Sequence, residues 1–194
     1  MRWVLWVAVV VSAASARAEE APVHRPSPIA FRASVLAGAG FTFGPDPVCP
    51  SCENPLASFS GGVELAVVLR SSAGEGFLAN QLVWQPIFPK AYFGQLTQML
   101  SLTTEVGFLG RVHPRVLFGP GAMVAYAFAS PPGVSGTVFR ADHALLPGFA
   151  LHAAAFLDAN EVHRVGVNLI VLVRLSAPGV IVLPTFSYSA TLPW

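Results

Sequence analysis

Along residues 163–175 every second position is apolar: Val165, Val167, Leu169, Val171, Val173 and Leu175. Between them fall Arg164, Gly166, Asn168, Ile170, Leu172 and Arg174. Alternate side chains on a strand point to opposite faces. One face of this segment is therefore continuously apolar, and the other carries the arginines and the asparagine. A helix would scatter those arginines around its cylinder, so the period predicts a strand.

The same period recurs along the chain. Phe31, Ala33, Val35, Ala37 and Phe41 oppose Arg32, Ser34, Gly38 and Gly40, while Val63, Leu65, Val67 and Leu69 oppose Glu64, Ala66 and Arg70. Leu102, Thr104, Val106, Phe108 and Val112 share one face, with Thr103, Glu105, Gly107 and Arg111 on the other. Val116, Phe118, Ala122, Val124, Tyr126 and Phe128 oppose Gly119, Gly121, Met123 and Ala125. Phe149, Leu151, Ala153, Ala155 and Leu157 alternate with Ala150, His152, Ala154 and Asp158. Pro184, Phe186, Tyr188 and Leu192 oppose Thr185, Ser187, Ser189 and Thr191. A segment from Phe77 to Gln85, with weaker alternation, completes an even count of eight. These segments run to about 9–13 residues, near the roughly 9–11 of a tilted membrane-crossing strand and beyond the about 5–6 of ordinary strands.

The connections alternate in length. Long ones cover about Thr42–Ser58, Pro86–Thr97 and Ser130–Pro147, and short ones Ser71–Gly76, His113–Arg115 and Ala159–Glu161. A short fourth outer connection, Ser176–Gly179, breaks the trend. Up-and-down membrane barrels with both ends on one side alternate long outer loops with short inner turns. Two uncharged stretches, Val116–Phe139 and Leu175–Trp194, are long enough for membrane helices, but each holds three prolines. Proline removes a helical hydrogen bond and clashes with the preceding turn, so strands remain the better solution. The fold class expected is all-β: an antiparallel up-and-down transmembrane β-barrel of about eight strands.

Composition fits a chain whose outside is solvated by lipid. Charged residues make up 11%, against about 25% in average globular proteins, and a soluble surface needs more. The formal net charge is +1 with no basic run, which argues against nucleic acid. Met1-Arg2, the apolar run Trp3–Ala14 and Ala16-Arg17-Ala18 match the charged start, apolar core and cleavage pattern of a secretory signal peptide. The expected division is a signal peptide over 1–18, an N-terminal extension over 19–28 and the barrel over 29–194. In lipid no sheet edge can go unpaired, so spanning strands must close into a barrel.

On the leader, the alternating strands, the loop lengths and the aromatic last residue Trp194, the chain resembles small eight-stranded outer-membrane barrels, the architecture of the OmpA and OmpX families. The resemblance is architectural and transfers no site residue. It implies a bacterial outer-membrane location, with outer-membrane lipid around the apolar face. It also implies an assembly machinery that reads the aromatic C-terminus, although Leu192-Pro193-Trp194 departs from the usual ending.

Few residues point to chemistry. Cys49-Pro50-Ser51-Cys52 could be a redox dithiol, half a metal site or a disulfide; no βαβ context and no further ligands accompany it, which favours a small disulfide in an oxidising compartment. Arg32, Glu64, Arg70, Glu105, Arg111, Arg164 and Arg174, with His152, should face the lumen as a charge network. With five arginines to two glutamates it should be net positive: a salt-bridge plug, or an anion-preferring pore or site. Eight strands enclose room for side chains and little else, which favours the plug. A lipid-active enzyme would draw on His143 with Asp142, or His152 with a lumen serine such as Ser187, but no nucleophile motif is present. No cofactor or metal pattern occurs. The expected role is structural or surface-interacting, with a narrow channel, a lipid-active enzyme and a soluble lipocalin-like binder of an apolar ligand as alternatives.

Overall fold

The computed structural model describes residues 28–43, 56–87, 97–130, 142–175 and 179–193. Eight strands follow in chain order: β1 (Ile29–Phe43), β2 (Leu56–Ser71), β3 (Gly74–Ile87), β4 (Thr97–His113), β5 (Val116–Ser130), β6 (Asp142–Phe156), β7 (His163–Arg174) and β8 (Gly179–Pro193). Each pairs antiparallel with the next, and β1 pairs with β8, so the sheet closes into a barrel. Closure removes the unpaired edges that an open sheet would expose.

The alternation sorts the side chains by face. Val35, Leu65, Val106, Phe149 and Phe186 are among the many apolar residues exposed on the outside, while Arg32, Glu64, Glu105, His152 and Arg164 are buried within. A water-soluble barrel has the reverse arrangement.

Most strands run longer than the sequence pattern indicates, up to 17 residues for β4, whereas β7, at 12, stays within it. The expected turn Ser71–Gly76 shrinks to two residues, because Arg70 pairs with Glu75 and Ser71 with Gly74. The expected loop Ser130–Pro147 gives up its last part to β6, where Ala144, Leu145 and Pro147 pair with Ala127, Tyr126 and Val124. Polar and proline-containing ends read as loop in sequence, yet a neighbouring strand can extend pairing onto them.

The strand prolines are accommodated at interruptions of the ladder. Pairing of β4 with β5 skips from Gly107↔Gly121 to Gly110↔Phe118, and Pro120 lies in the gap. Pro184 occupies the corresponding gap between Gly38↔Thr185 and Phe41↔Val182, and Pro86 that between Gly61↔Trp84 and Ser58↔Ile87. Pairing of β6 with β7 starts only at Gly148↔Leu172, immediately after Pro147. Proline brings no N–H to a ladder, so pairing breaks where it faces a neighbour.

The turn between β6 and β7 is built around Asp158. Its carboxylate accepts from the backbone N–H of Val162 (3.2 Å) and His163 (2.7 Å). Glu161 in that turn has a positive φ of 57°, a conformation a non-glycine residue adopts at a cost. Its contacts, described below, hold it there.

Candidate functional site

The charged residues gather inside the barrel, and strand register brings them together. Ser189, Ser34, Glu64 and Gln81 occupy one continuous row across β8, β1, β2 and β3. Hydrogen bonds run along it: Ser189 Oγ donates to Ser34 Oγ (2.9 Å), Ser34 Oγ to Glu64 Oε1 (2.9 Å), and Gln81 Nε2 to Glu64 Oε2 (3.1 Å). Arg32 closes on the same carboxylate, Nε to Glu64 Oε1 at 3.0 Å. A second row joins His152, Asn168 and Thr185 across β6, β7 and β8.

The two rows meet across the lumen. Gln81 Nε2 also donates to Glu105 Oε2 (2.8 Å), and Glu105 Oε1 lies 2.5 Å from His152 Nε2. Asn168 Oδ1 faces the other ring nitrogen at 2.9 Å, so an imidazolium here would donate from both nitrogens. The strand between β4 and β6 makes room with a glycine: a Cβ on Gly121 would overlap Glu105 Oε1.

Nearer the short turns, Glu75 is the hub. Arg164 reaches it across the barrel at 2.8 Å, Arg70 from the paired strand at 3.2 Å, and Arg32 Nη1 stands 3.9 Å away. Arg70 also donates to the carbonyl of Glu161 (2.9 Å), and Arg111 grips the Glu161 carboxylate with both terminal nitrogens, at 2.8 and 3.1 Å. These contacts fix Glu161 in its left-handed turn. Arg32 lies over the Phe77 ring, 5.1 Å from its centroid, and Phe77 meets His152 edge-on.

Seven of the eight charged residues singled out in the sequence thus meet in one network. Arg174, at the loop end of β7, joins no ion pair among the described residues. Glu75 and Glu161, which the sequence pattern left in turns, belong to the network, and they cancel the expected positive surplus. Arg32, Arg70, Arg111 and Arg164 face Glu64, Glu75, Glu105 and Glu161 among the described residues, with His152 the remaining titratable member. Glu75 carried a signal: counting back in twos from Gln81 puts it on the inner face. Nothing local marks Glu161.

Apolar side chains share the bore with this polar network. One group lies among the charges: Val68 falls between Glu64 and Arg70 on β2, Phe77 between Gln81 and Glu75 on β3 and Leu109 between Glu105 and Arg111 on β4, and they pack with Leu117 and Phe156. Toward the loop end the lumen is filled by Met99, Met123, Leu146, Ile170, Leu172, Ile181 and Leu183 with small alanines between them. The apolar filling is more extensive than the few inner apolar residues read from the sequence, such as Met123, Ile170 and Leu172. It follows from the narrow bore, in which opposite walls touch and large side chains exclude water. Between Arg32, Glu64, His152 and Arg164 about 10 Å³ of space remains, the size of one water site.

As for catalysis, both ring nitrogens of His152 are engaged by Glu105 and Asn168, and Ser187 is not its partner. The side chains of Asp142 and His143, together with Cys49, Cys52, Trp194, the leader and the 19–27 extension, lie outside the described residues.

No family model and no curated protein matches the chain. Solved structures match it in shape. The Neisserial surface protein A (NspA) aligns with a TM-score of 0.55 at 9% identity, over 84% of this chain and 97% of that one. Ail, the attachment invasion locus protein of Yersinia pestis, solved with the heparin analogue sucrose octasulfate, aligns with a TM-score of 0.59 at 5% identity, over 84% and 99%. At such identities the likeness is one of fold. The chain has the fold of the small eight-stranded outer-membrane β-barrel proteins, with a lumen occupied by a charge network and by apolar side chains.

Proposed function

We infer that the protein is a structural or surface-interaction barrel of the bacterial outer membrane, held in its lipid and delivered by its assembly machinery, with a lumen sealed by side chains. The observation that carries this reading is the inverted distribution of polarity. Large apolar residues such as Leu65, Val112, Phe186 and Leu192 are exposed around the outside, while arginines and glutamates are buried within. Only a hydrocarbon surrounding makes that outer face favourable. The secretory leader pattern supports the same location.

The filled lumen supports a plug over a channel. A buried carboxylate hub that holds arginines from three strands is not a path for ions, and the apolar residues packed against it and toward the loop end exclude water. The lipocalin-like alternative finds no support, since such a soluble binder would carry polar residues on its outer face, where this barrel exposes large apolar ones.

The test is a comparison of boiled and unboiled samples of the outer-membrane fraction on a detergent gel. The protein should be found in that fraction and change apparent size on boiling, as a detergent-resistant barrel does. Recovery in the soluble periplasm with no such change would refute the reading.

A further inference from the structure

The outward face is apolar through the middle of the barrel except at one place. Asn80 of β3 and Thr104 of β4 stand opposite each other in register and both point outward. Thr104 Oγ1 donates to Asn80 Oδ1 at 2.9 Å. Other outward polar side chains among the described residues lie toward strand ends: His163 and Tyr188, bonded to each other, at the turn end, and Tyr126 nearer the loop end. Trp84 lies two outward positions from Asn80 toward the loops, and Phe108 two outward positions from Thr104 toward the turns. At about 3.4 Å per residue each aromatic is about 14 Å away along its strand. The pair therefore sits near the middle of the apolar band.

The Thr104 bond leaves the Asn80 amide incompletely satisfied. Its Nδ2 carries two N–H groups that meet no acceptor among the described residues, and hydrocarbon tails offer none. Lipid headgroups lie beyond the flanking aromatics. The oxygen also keeps a second lone pair after accepting from Thr104.

We propose that the β3–β4 face is a symmetric interface between two copies of this chain, centred on Asn80 paired with Asn80 of the second copy. The proposal rests on the membrane reading above. A carboxamide holds donor and acceptor side by side, so two of them across a two-fold axis exchange two N–H···O bonds, the self-complementarity that such an interface requires. In lipid, where apolar surface alone gives helices or strands no reason to associate, polar side chains supply the attraction. The surroundings suit close approach: Leu65, Leu78, Leu82, Leu102 and Val106 are all exposed around the pair, with no large ring among them.

Disulfide trapping in lipid vesicles tests this, using the purified full chain with Cys49 and Cys52 changed to Ser. Leu82→Cys, which stands next to the pair on the outward face and keeps Asn80, should give about tenfold more disulfide-linked dimer than Val167→Cys on the opposite wall, as two amide hydrogen bonds imply. The wild-type chain should sediment as a dimer and Asn80→Leu as a monomer, both keeping the size change on boiling. Equal trapping at both positions in protein that keeps that change would overturn the interface alone. Loss of the change in the wild-type chain would overturn the membrane reading, and the interface with it.

Discussion

The half of the lumen near the short turns is held together by charge, and the half near the long loops is filled with hydrocarbon. Near the turns, Glu75 collects Arg164 and Arg70, and Glu64 binds Arg32, Ser34 and Gln81. Near the loops, Ile170, Leu172, Ile181 and Leu183 meet Met99, Met123 and Leu146 with no ion pair among them. Both halves fill the same bore, yet they specify it differently. An apolar filling tolerates rearrangement as long as volume is kept. A network of directed bonds fixes which strand faces which, because each partner lies at a set register. The boundary carries loose ends: Ser60 Oγ, Gln81 Oε1 and Gln85 Oε1 are buried without a hydrogen-bond partner. All three lie on the β2–β3 wall, Ser60 and Gln85 within the Pro86 gap of its ladder.

The two halves should therefore fail differently. The largest effect is expected from Glu75→Ala, which strands Arg164 and Arg70 in the interior. It should cost about 4 kcal/mol, the scale of breaking a buried pair from one side, read as the shift in urea unfolding in lipid vesicles. A loss below 1 kcal/mol would remove Glu75 as the hub. Leu172→Ala should cost about 3 kcal/mol through the cavity it leaves, and Leu172→Met should restore most of it. Restoration by Met marks volume rather than directed bonding.

Gly121→Ala should cost about 2 kcal/mol, since the methyl group must displace the Glu105 carboxylate from its contact with His152. Pairing it with Glu105→Ala should recover part of that cost, and a purely additive double mutant would contradict the steric cause. The smallest effect belongs to Arg111→Ala. The Arg111–Glu161 pair is about a fifth exposed, so its removal should cost about 1 kcal/mol and less at high salt, where exposed pairs are screened. The Glu75 effect, deeper inside, should change little with salt.

Most of the architecture is legible in the sequence because a lipid-facing strand has to advertise its faces. Val165 through Leu175 alternate without a break, and that alternation alone assigns Arg164 and Asn168 to the interior. Legibility ends where the period does. Glu75 and Gly76 follow Ser72, Ala73 and Gly74, whose composition reads as a turn, and only the pairing of β2 with β3 reveals that the hairpin is two residues long. Glu161 enters the network through an unusual backbone angle, which no side-chain pattern encodes. The apolar filling was visible as Ile170 and Leu172 on the inner face of β7, but its extent depends on which inner residues of eight strands share a level. Barrel tilt sets that, because one row of paired residues climbs from Phe156 through Arg164 and Glu64 to Leu146. Arg174 has the same inward parity as Arg164, yet it stands at the opposite end of β7.

The central claim is that side chains seal the lumen, and single-channel recording in planar lipid bilayers tests it most directly. The refolded protein, confirmed as folded by its size change on boiling, should insert without producing discrete current steps at any applied voltage. Reproducible unit steps with a preference for anions, weakened by Arg164→Ala, would contradict the account and make the arginines the lining of a pore.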